Sequence, residues 1–323
     1  MLQFLVRRFL WAIFLFVSAT VITYLIFYVV PSDPAKDICG RACTEEDVAR
    51  VRHFLHLDEP IYQQYGRYVW NLVAHGSLGT SYTNRQEVNH IIGQAAPVTA
   101  SLVFGGAVFW LLLSLPVGIY SALRARSLVD RAAMTFVLVG VSAHPVWIGL
   151  ILSYFLGYRL HLTPIAGYCD FFNPSLGSDC GGPVQWAYHM LLPWTTFMLL
   201  FAALYVRFIR ANVMETMTED YVRTARAKGA SERRVLFQHV LRNSLLPVVT
   251  ILGMDIGLAL GGAIFTESVY SLPGLGRQVL KSYEQFDLPV ILGIVVFSTI
   301  CIIIFNLIVD ILYAVLDPRI RLE

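Results

Sequence analysis

Leu288-Pro-Val-Ile-Leu-Gly-Ile-Val-Val-Phe-Ser-Thr-Ile-Cys-Ile-Ile-Ile-Phe-Asn-Leu-Ile-Val309 runs for 22 residues without Asp, Glu, Lys or Arg. At a helical rise of about 1.5 Å per residue, such a run crosses a hydrocarbon layer roughly 30 Å thick. Five further runs of this kind lie upstream, at 9–30, 97–123, 132–158, 187–206 and 244–266, and of the six only 244–266 holds a carboxylate, Asp255. Transmembrane strands would instead give alternating segments of about ten residues, which are absent. The chain reads as an all-α polytopic membrane protein with six transmembrane helices. Composition agrees: 56% of the 323 residues are hydrophobic and 14% charged, where soluble domains carry roughly 25% charged residues. Soluble domains and a disordered chain are both excluded. A net charge of +2 offers no concentrated basic surface for nucleic acid.

The first run follows Arg7 and Arg8, as a secretory signal would. A signal core spans only about 7–15 residues, and no small-x-small cleavage site follows this run, where the chain continues Val30-Pro-Ser-Asp-Pro34. Residues 1–30 therefore read as an uncleaved membrane helix. Orientation follows from Lys and Arg placement. The side holding 1–8, 124–131, 207–243 and the 317–323 tail has fifteen Lys and Arg against seven acids. The opposite side has nine against 13. Both termini are expected in the cytoplasm.

Four of the five cysteines, Cys39, Cys43, Cys169 and Cys180, fall in the outer loops, and Cys301 lies in the sixth run. Disulfides persist in oxidising compartments. Four cysteines allow three connectivities; local pairing, Cys39–Cys43 and Cys169–Cys180, is the expectation, with free thiols the alternative. Neither pair has a histidine at ligand spacing, so no metal site is expected.

The first outer loop, 31–96, carries a helix start at Thr44-Glu-Glu-Asp47. A second amphipathic stretch places Ile61, Tyr65, Tyr68, Val69 and Leu72 on one face. This is a small helical cap, a lid over helix ends or a partner contact. The second outer loop, 159–186, is rich in Pro and Gly and reads as turns.

Phosphate-loop, zinc-protease and serine-hydrolase signatures are absent. His144 and His189 have no carboxylate within helical reach and read as packed or interfacial residues. Asp255 is the one deep charge, in Gly253-Met-Asp-Ile-Gly257. A mid-bilayer charge costs at least about 2.5 kcal/mol, so it lines a pathway or hydrogen-bonds across a helix interface that the two glycines bring close. Asp310 reads as an anchor at the headgroup level.

The soluble stretch 219–247 carries most of the remaining information. Val213, Met214, Met217, Tyr221 and Ala225 continue a helix out of the fourth run, Gly229 stops it and Ser231 starts another. Arg223, Arg226, Lys228, Arg233 and Arg234 make the surface basic. That suits either anionic lipid headgroups or a cytoplasmic partner.

Tyr221-Val-Arg-Thr-Ala-Arg-Ala-Lys-Gly229 and Leu241-Arg-Asn-Ser-Leu-Leu-Pro247 resemble the cytoplasmic coupling motif of bacterial ABC importer permeases. The form is that of the oligopeptide/dipeptide/nickel branch, with Arg223-Thr224-Ala225 in place of Glu-Ala-Ala. The resemblance extends through Leu57-Asp-Glu-Pro60, Gly76-Ser-Leu-Gly-Thr-Ser81, Ser142-Ala-His-Pro-Val-Trp147, Gly261-Gly262-Ala, Glu267, Pro273-Gly-Leu-Gly276 and Asp310-Ile-Leu-Tyr-Ala-Val-Leu-Asp-Pro-Arg319. Ser32, Ser77 and Asp255 depart from the branch, where Gly, Asp and Gln are usual, and the extra cysteines are unusual for it.

The resemblance implies a type I ABC importer permease fold, with a permease core over 97–316 and a coupling loop over 215–243. It implies a non-catalytic subunit of a peptide importer in the bacterial inner membrane. Its partners would be a second homologous permease, two cytoplasmic ATPase subunits, identical or not, that bind ATP and Mg, an extracytoplasmic solute-binding protein and membrane lipid. Asp220, Tyr221, Arg223, Thr224, Ala225, Arg226, Ala227, Lys228 and Gly229 would meet an ATPase. Asp255, Gly261, Gly262 and Glu267 are the pathway candidates. The rivals are a proton-driven secondary transporter working through Asp255, an intramembrane enzyme, and import of nickel chelate or another small solute.

Overall fold

The computed structural model describes residues 2–29, 35–36, 43–54, 58–172 and 180–316. Helices follow the apolar runs: α1 (Leu2–Val29), then the cap helices α2 (Glu45–Phe54) and α3 (Ile61–His75), then α4 (Val88–Leu123). Next come α5 (Leu128–Ser142), α6 (Pro145–Leu152, continued as a π-turn over Ser153–Arg159), α7 (Pro183–Met217) and α8 (Asp220–Ala227). α9 (Glu232–Ser244, with a π-turn over Val235–Val240), α10 (Leu246–Ala259), α11 (Ile264–Val269), α12 (Leu275–Glu284) and α13 (Leu288–Leu316) complete the chain. Among the described residues the only β pairing is two isolated bridges, Thr80–Glu87 and Asp170–Gly181.

The all-helical, multi-span architecture stands; where six straight spans were expected, the described residues hold three helices long and apolar enough to cross a membrane, or five spans if each of two bent pairs counts as one. α4, α7 and α13 are each long and apolar enough to cross a membrane, and α1 contributes the shorter apolar stretch Leu10–Ile26. The run 132–158 bends by 106° between α5 and α6. Pro145 pushes the preceding residue out of the helical region, and His144 is extended at φ −80°, ψ 139°. The run 244–266 stops at Ala259, where the Gly261-Gly262 turn intervenes, and α10 meets α9 at a 43° bend.

Small residues set the helix spacing, as close approach in lipid requires. A Cβ on Gly105 or Gly106 of α4 would stand 2.2 Å from the Trp194 ring or 2.7 Å from the Phe197 ring of α7. On α10, a Cβ at Gly253 would come within 1.9 Å of Val309 on α13, so the close approach read from Gly253 and Gly257 is realised. Trp110, wholly buried, stacks on Phe201 at 4.6 Å in the largest apolar cluster.

The cap helix α2 begins where its sequence asks. Asp47 N–H donates to Thr44 Oγ1 (3.3 Å), while Thr44 N–H (3.1 Å) and Oγ1–H (2.6 Å) donate to the Asp47 carboxylate. This reciprocal cap holds the Asp47 carboxyl below the usual carboxylate range.

Candidate functional site

α7 does not run on through Ala225 as its periodicity suggested. It ends at Met217, Thr218 N–H bonding back to Glu215 O (3.0 Å), and Glu219 is extended before α8 sets off. Two apolar residues decide how α8 lies: Val222 is wholly buried and Ala225 half-buried, in one cluster with the buried Val235 and Val240 of α9. Asp220, Arg223, Thr224, Ala227 and Lys228 are thereby left exposed. One short helix thus presents the expected charged face outward.

The helix stops where Gly229 was expected to stop it. Gly229 takes φ +79°, its N–H bonds Arg226 O (2.9 Å), and Ala230 N–H bonds Ala225 O (3.2 Å). This is the Schellman pairing, which needs a left-handed residue. Ser231 has the extended backbone of a helix start (φ −64°, ψ 146°), but its side chain makes no capping bond. Arg226 spans the bend instead, donating through Nε (3.0 Å) and Nη2 (3.3 Å) to Glu232. Across the loop, Asn243 Nδ2 donates to Tyr221 Oη (2.8 Å), and Tyr221 Oη–H donates to His239 O (3.4 Å). The U formed by the end of α7, α8, α9 and the start of α10 lines an open cavity of about 1130 Å³.

The base of this U is tied to α5. Asp130 is 4% exposed and accepts from Arg210 Nε (2.6 Å) and Nη2 (2.9 Å), from Arg126 N–H (2.7 Å) and from Ser121 Oγ–H. A bidentate guanidinium–carboxylate pair is geometrically specific. The reading by periodicity missed it, because Asp130 and Arg210 lie 80 residues apart.

The pathway candidates separate. Asp255 is half-buried and accepts from Tyr205 Oη–H at 2.7 Å, joining α10 to α7. Gly261 and Gly262 form a tight turn: Gly262 has φ +124°, and a Cβ there would meet the Gly276 backbone at 2.6 Å. Glu267 lines no open space. It is wholly buried, accepting from Thr99 Oγ1–H (2.8 Å), Ala263 N–H (3.2 Å) and Arg277 N–H (2.9 Å), and so clamps α11 to α4 and to the first turn of α12. A third buried acid, Asp287, accepts from Ser81 Oγ–H and Tyr82 N–H (3.0 Å), pinning the 77–82 turn to the start of α13.

Cys169 and Cys180 are bonded, with Cα atoms 5.4 Å apart. Cys39 lies outside the described residues, so the expected Cys39–Cys43 bond does too. The fold supplies the histidine that sequence spacing did not: His189 Nδ1 stands 3.3 Å from Cys169 Sγ. With both sulfurs in a disulfide, this group presents no thiolate to a metal.

Residues 1–103 match the family described as binding-protein-dependent transport system membrane component, N-terminal, and 114–322 match the binding-protein-dependent transport system inner membrane component. The dipeptide transport system permease protein DppB of Escherichia coli K12 is 36% identical over 99% of both chains. The di/tripeptide permease DppB of Pseudomonas aeruginosa is 36% identical with the same coverage. A putative peptide transport system permease of Brucella abortus is 33% identical over 100% of both. Among solved structures, the inward-facing MetNI methionine ABC transporter aligns at TM-score 0.53 and 14% identity, over 70% of this chain and 96% of its own. An amino acid ABC transporter with histidines aligns at TM-score 0.50 and 14% identity, over 72% and 95%. These two share the fold.

Proposed function

We propose that this chain, which belongs to the family of binding-protein-dependent transport-system inner-membrane components, forms one half of the membrane pathway of an ATP-driven peptide importer. The observation that carries the reading is the α8–Gly229–α9 bend, an exposed basic helix whose inner face packs on α9, which runs on into α10. Full-length identity with relatives named for peptide transport supports peptides as the cargo. The chain itself is the translocation subunit. ATP and Mg belong to two cytoplasmic ATPase subunits, a second homologous permease supplies the other half of the pathway, and a solute-binding protein delivers the peptide. The basic side, with α8 and both termini, faces the cytoplasm of the bacterial cell.

The residues suggest how the subunit works. A push on α8 is taken up by Val222 against Val235 and Val240, and so reaches α9 and α10. At the root of the U, Arg210 carries the same displacement to α5 through Asp130. Higher up, the Tyr205–Asp255 bond holds α7 and α10 together, so the pair moves as one body. Nucleotide shifts such an equilibrium only through its different affinity for the two states. A proton-driven carrier working through Asp255 is not favoured by the family relationship.

Proteoliposomes holding both permeases, the ATPases and the binding protein test the reading. Labelled dipeptide should accumulate only with ATP on the α8 side, and Ala227→Cys should crosslink to an ATPase subunit. Uptake driven by a pH gradient without ATP or ATPases would overturn it.

A further inference from the structure

The cap helix α3 has three faces. One docks on α1: Tyr65 Oη and Thr20 Oγ1 share a hydrogen bond (3.0 Å), Tyr24 Oη–H donates to Gln64 Oε1 (3.1 Å), and the Tyr24 ring lies 5.4 Å from that of Tyr65. A second face is polar, with Gln63, Arg67 and Asn71 exposed and Arg67 paired to Glu59 through Nη2 at 2.6 and 2.7 Å. Between them runs an apolar stripe. Tyr62, Trp70 and Val73 are 71%, 66% and 76% exposed, and at about 100° per residue they share an arc of roughly 80°. An ordinary surface helix buries its apolar stripe against the protein, yet no residue of α3 is fully buried.

The docking site on α1 says what covers the stripe. Thr20 and Tyr24 both lie inside the apolar run 9–30. The apolar stretch of α1 is Leu10–Ile26, and Tyr24 and Thr20 lie about 3 and 9 Å along the helix axis from its end at Ile26. A helix resting there lies at the depth of the headgroup and acyl boundary, where amphipathic helices embed by roughly 5–10 Å and where Trp and Tyr collect. We propose that α3 is an interfacial helix: Tyr62, Trp70 and Val73 insert into the phospholipid leaflet beside α1, while Gln63, Arg67 and Asn71 face water. The helix would then fix the tilt and height of α1 against the leaflet. The inference rests on α1 crossing the membrane.

Spin labels on the whole importer in phospholipid nanodiscs test it, in a Cys301→Ser background, since Cys301 is the free thiol among the described residues. Labels go on Tyr62→Cys, Trp70→Cys and Val73→Cys, on Arg67→Cys for the water face, and on Phe14→Cys for the lipid face of α1. Collision rates with molecular oxygen and with a water-soluble nickel chelate are compared. The oxygen-to-nickel ratio should be several-fold higher at 62, 70 and 73 than at 67, and close to that at 14. A stripe as open to nickel as residue 67, beside a lipid-like residue 14, would overturn the inference alone. So would shelter from both reagents, which marks a protein cover. A water-like ratio at residue 14 would remove the spanning α1 and the inference with it.

Discussion

Gly229 concentrates the mechanism in one backbone angle. At φ +79° a Cβ would meet nothing within 4 Å, so any substitution there acts through the backbone and not through a clash. An L-residue held in the left-handed region costs about 1–2 kcal/mol, which is a factor of roughly 5–30 in a population. If the ATPase binds only the correctly bent loop, its apparent affinity falls by the fraction of loops so bent. Gly229→Ala should therefore weaken ATPase attachment roughly 5- to 30-fold. Gly229→Val should do worse, because a branched Cβ resists this conformation more strongly. Gly229→Asn should stay close to wild type, as Asn tolerates it. The assay is titration of the solubilised permease pair with purified ATPase subunits, read as binding and as ATP hydrolysis stimulated by loaded binding protein. Thermal unfolding of the same variants should shift by no more than that same roughly 1–2 kcal/mol, since Gly229 is exposed and its Cβ would meet no neighbour. Wild-type behaviour in Gly229→Val would refute the reasoning. So would an Asn variant as defective as Val, which would place the requirement in a partner contact.

Asp130→Ala strands the Arg210 guanidinium and should lower stability in detergent by about 3 kcal/mol, measured by thermal or denaturant unfolding; a loss below about 1 kcal/mol, the scale of an exposed pair, would contradict the anchoring role. Asp255→Asn keeps an acceptor for Tyr205 and should leave ATP-driven uptake intact, whereas Asp255→Leu strands the hydroxyl and should reduce it; equal uptake by both would remove the coupling role. Non-reducing mass spectrometry should find Cys169 and Cys180 joined, and reduction should destabilise the protein by about 2–3 kcal/mol for a loop of this size. Because the cap on α2 lowers the Asp47 pKa, its contribution is present above about pH 4 and lost as pH falls further. Hydrogen exchange of residues 45–54, corrected for intrinsic rate, should lose protection on that acid side, and Thr44→Ala should match the loss at neutral pH.

The membrane class, the helical content, the Thr44 start and the Gly229 stop are all legible in the chain, for one reason. Each rests on neighbours in sequence: a bilayer selects unbroken apolar runs, a cap is satisfied within three residues, and a left-handed turn favours glycine wherever it occurs. The short basic helix and bend of 220–234 were legible for the same reason, the residues being nearly consecutive. Their orientation was not. Whether Val222 turns inward, and α7 breaks at Thr218 in place of running on, depends on Val235 and Val240 arriving from the next helix.

Buried acids are where local reading ends. Glu267, Asp130 and Asp287 look alike in sequence to charges at helix ends, yet each is a clamp with a distant partner: Arg210 lies 80 residues from Asp130, Thr99 168 from Glu267 and Ser81 206 from Asp287. The 106° bend between α5 and α6 is a similar case. Pro145 permits a break, but the angle is set by what the two arms pack against. Sequence alone determined that the chain must cross a membrane as helices and turn sharply at Gly229. Only the tertiary structure decided which polar groups meet, because a buried charge is stable only beside partners that folding brings to it.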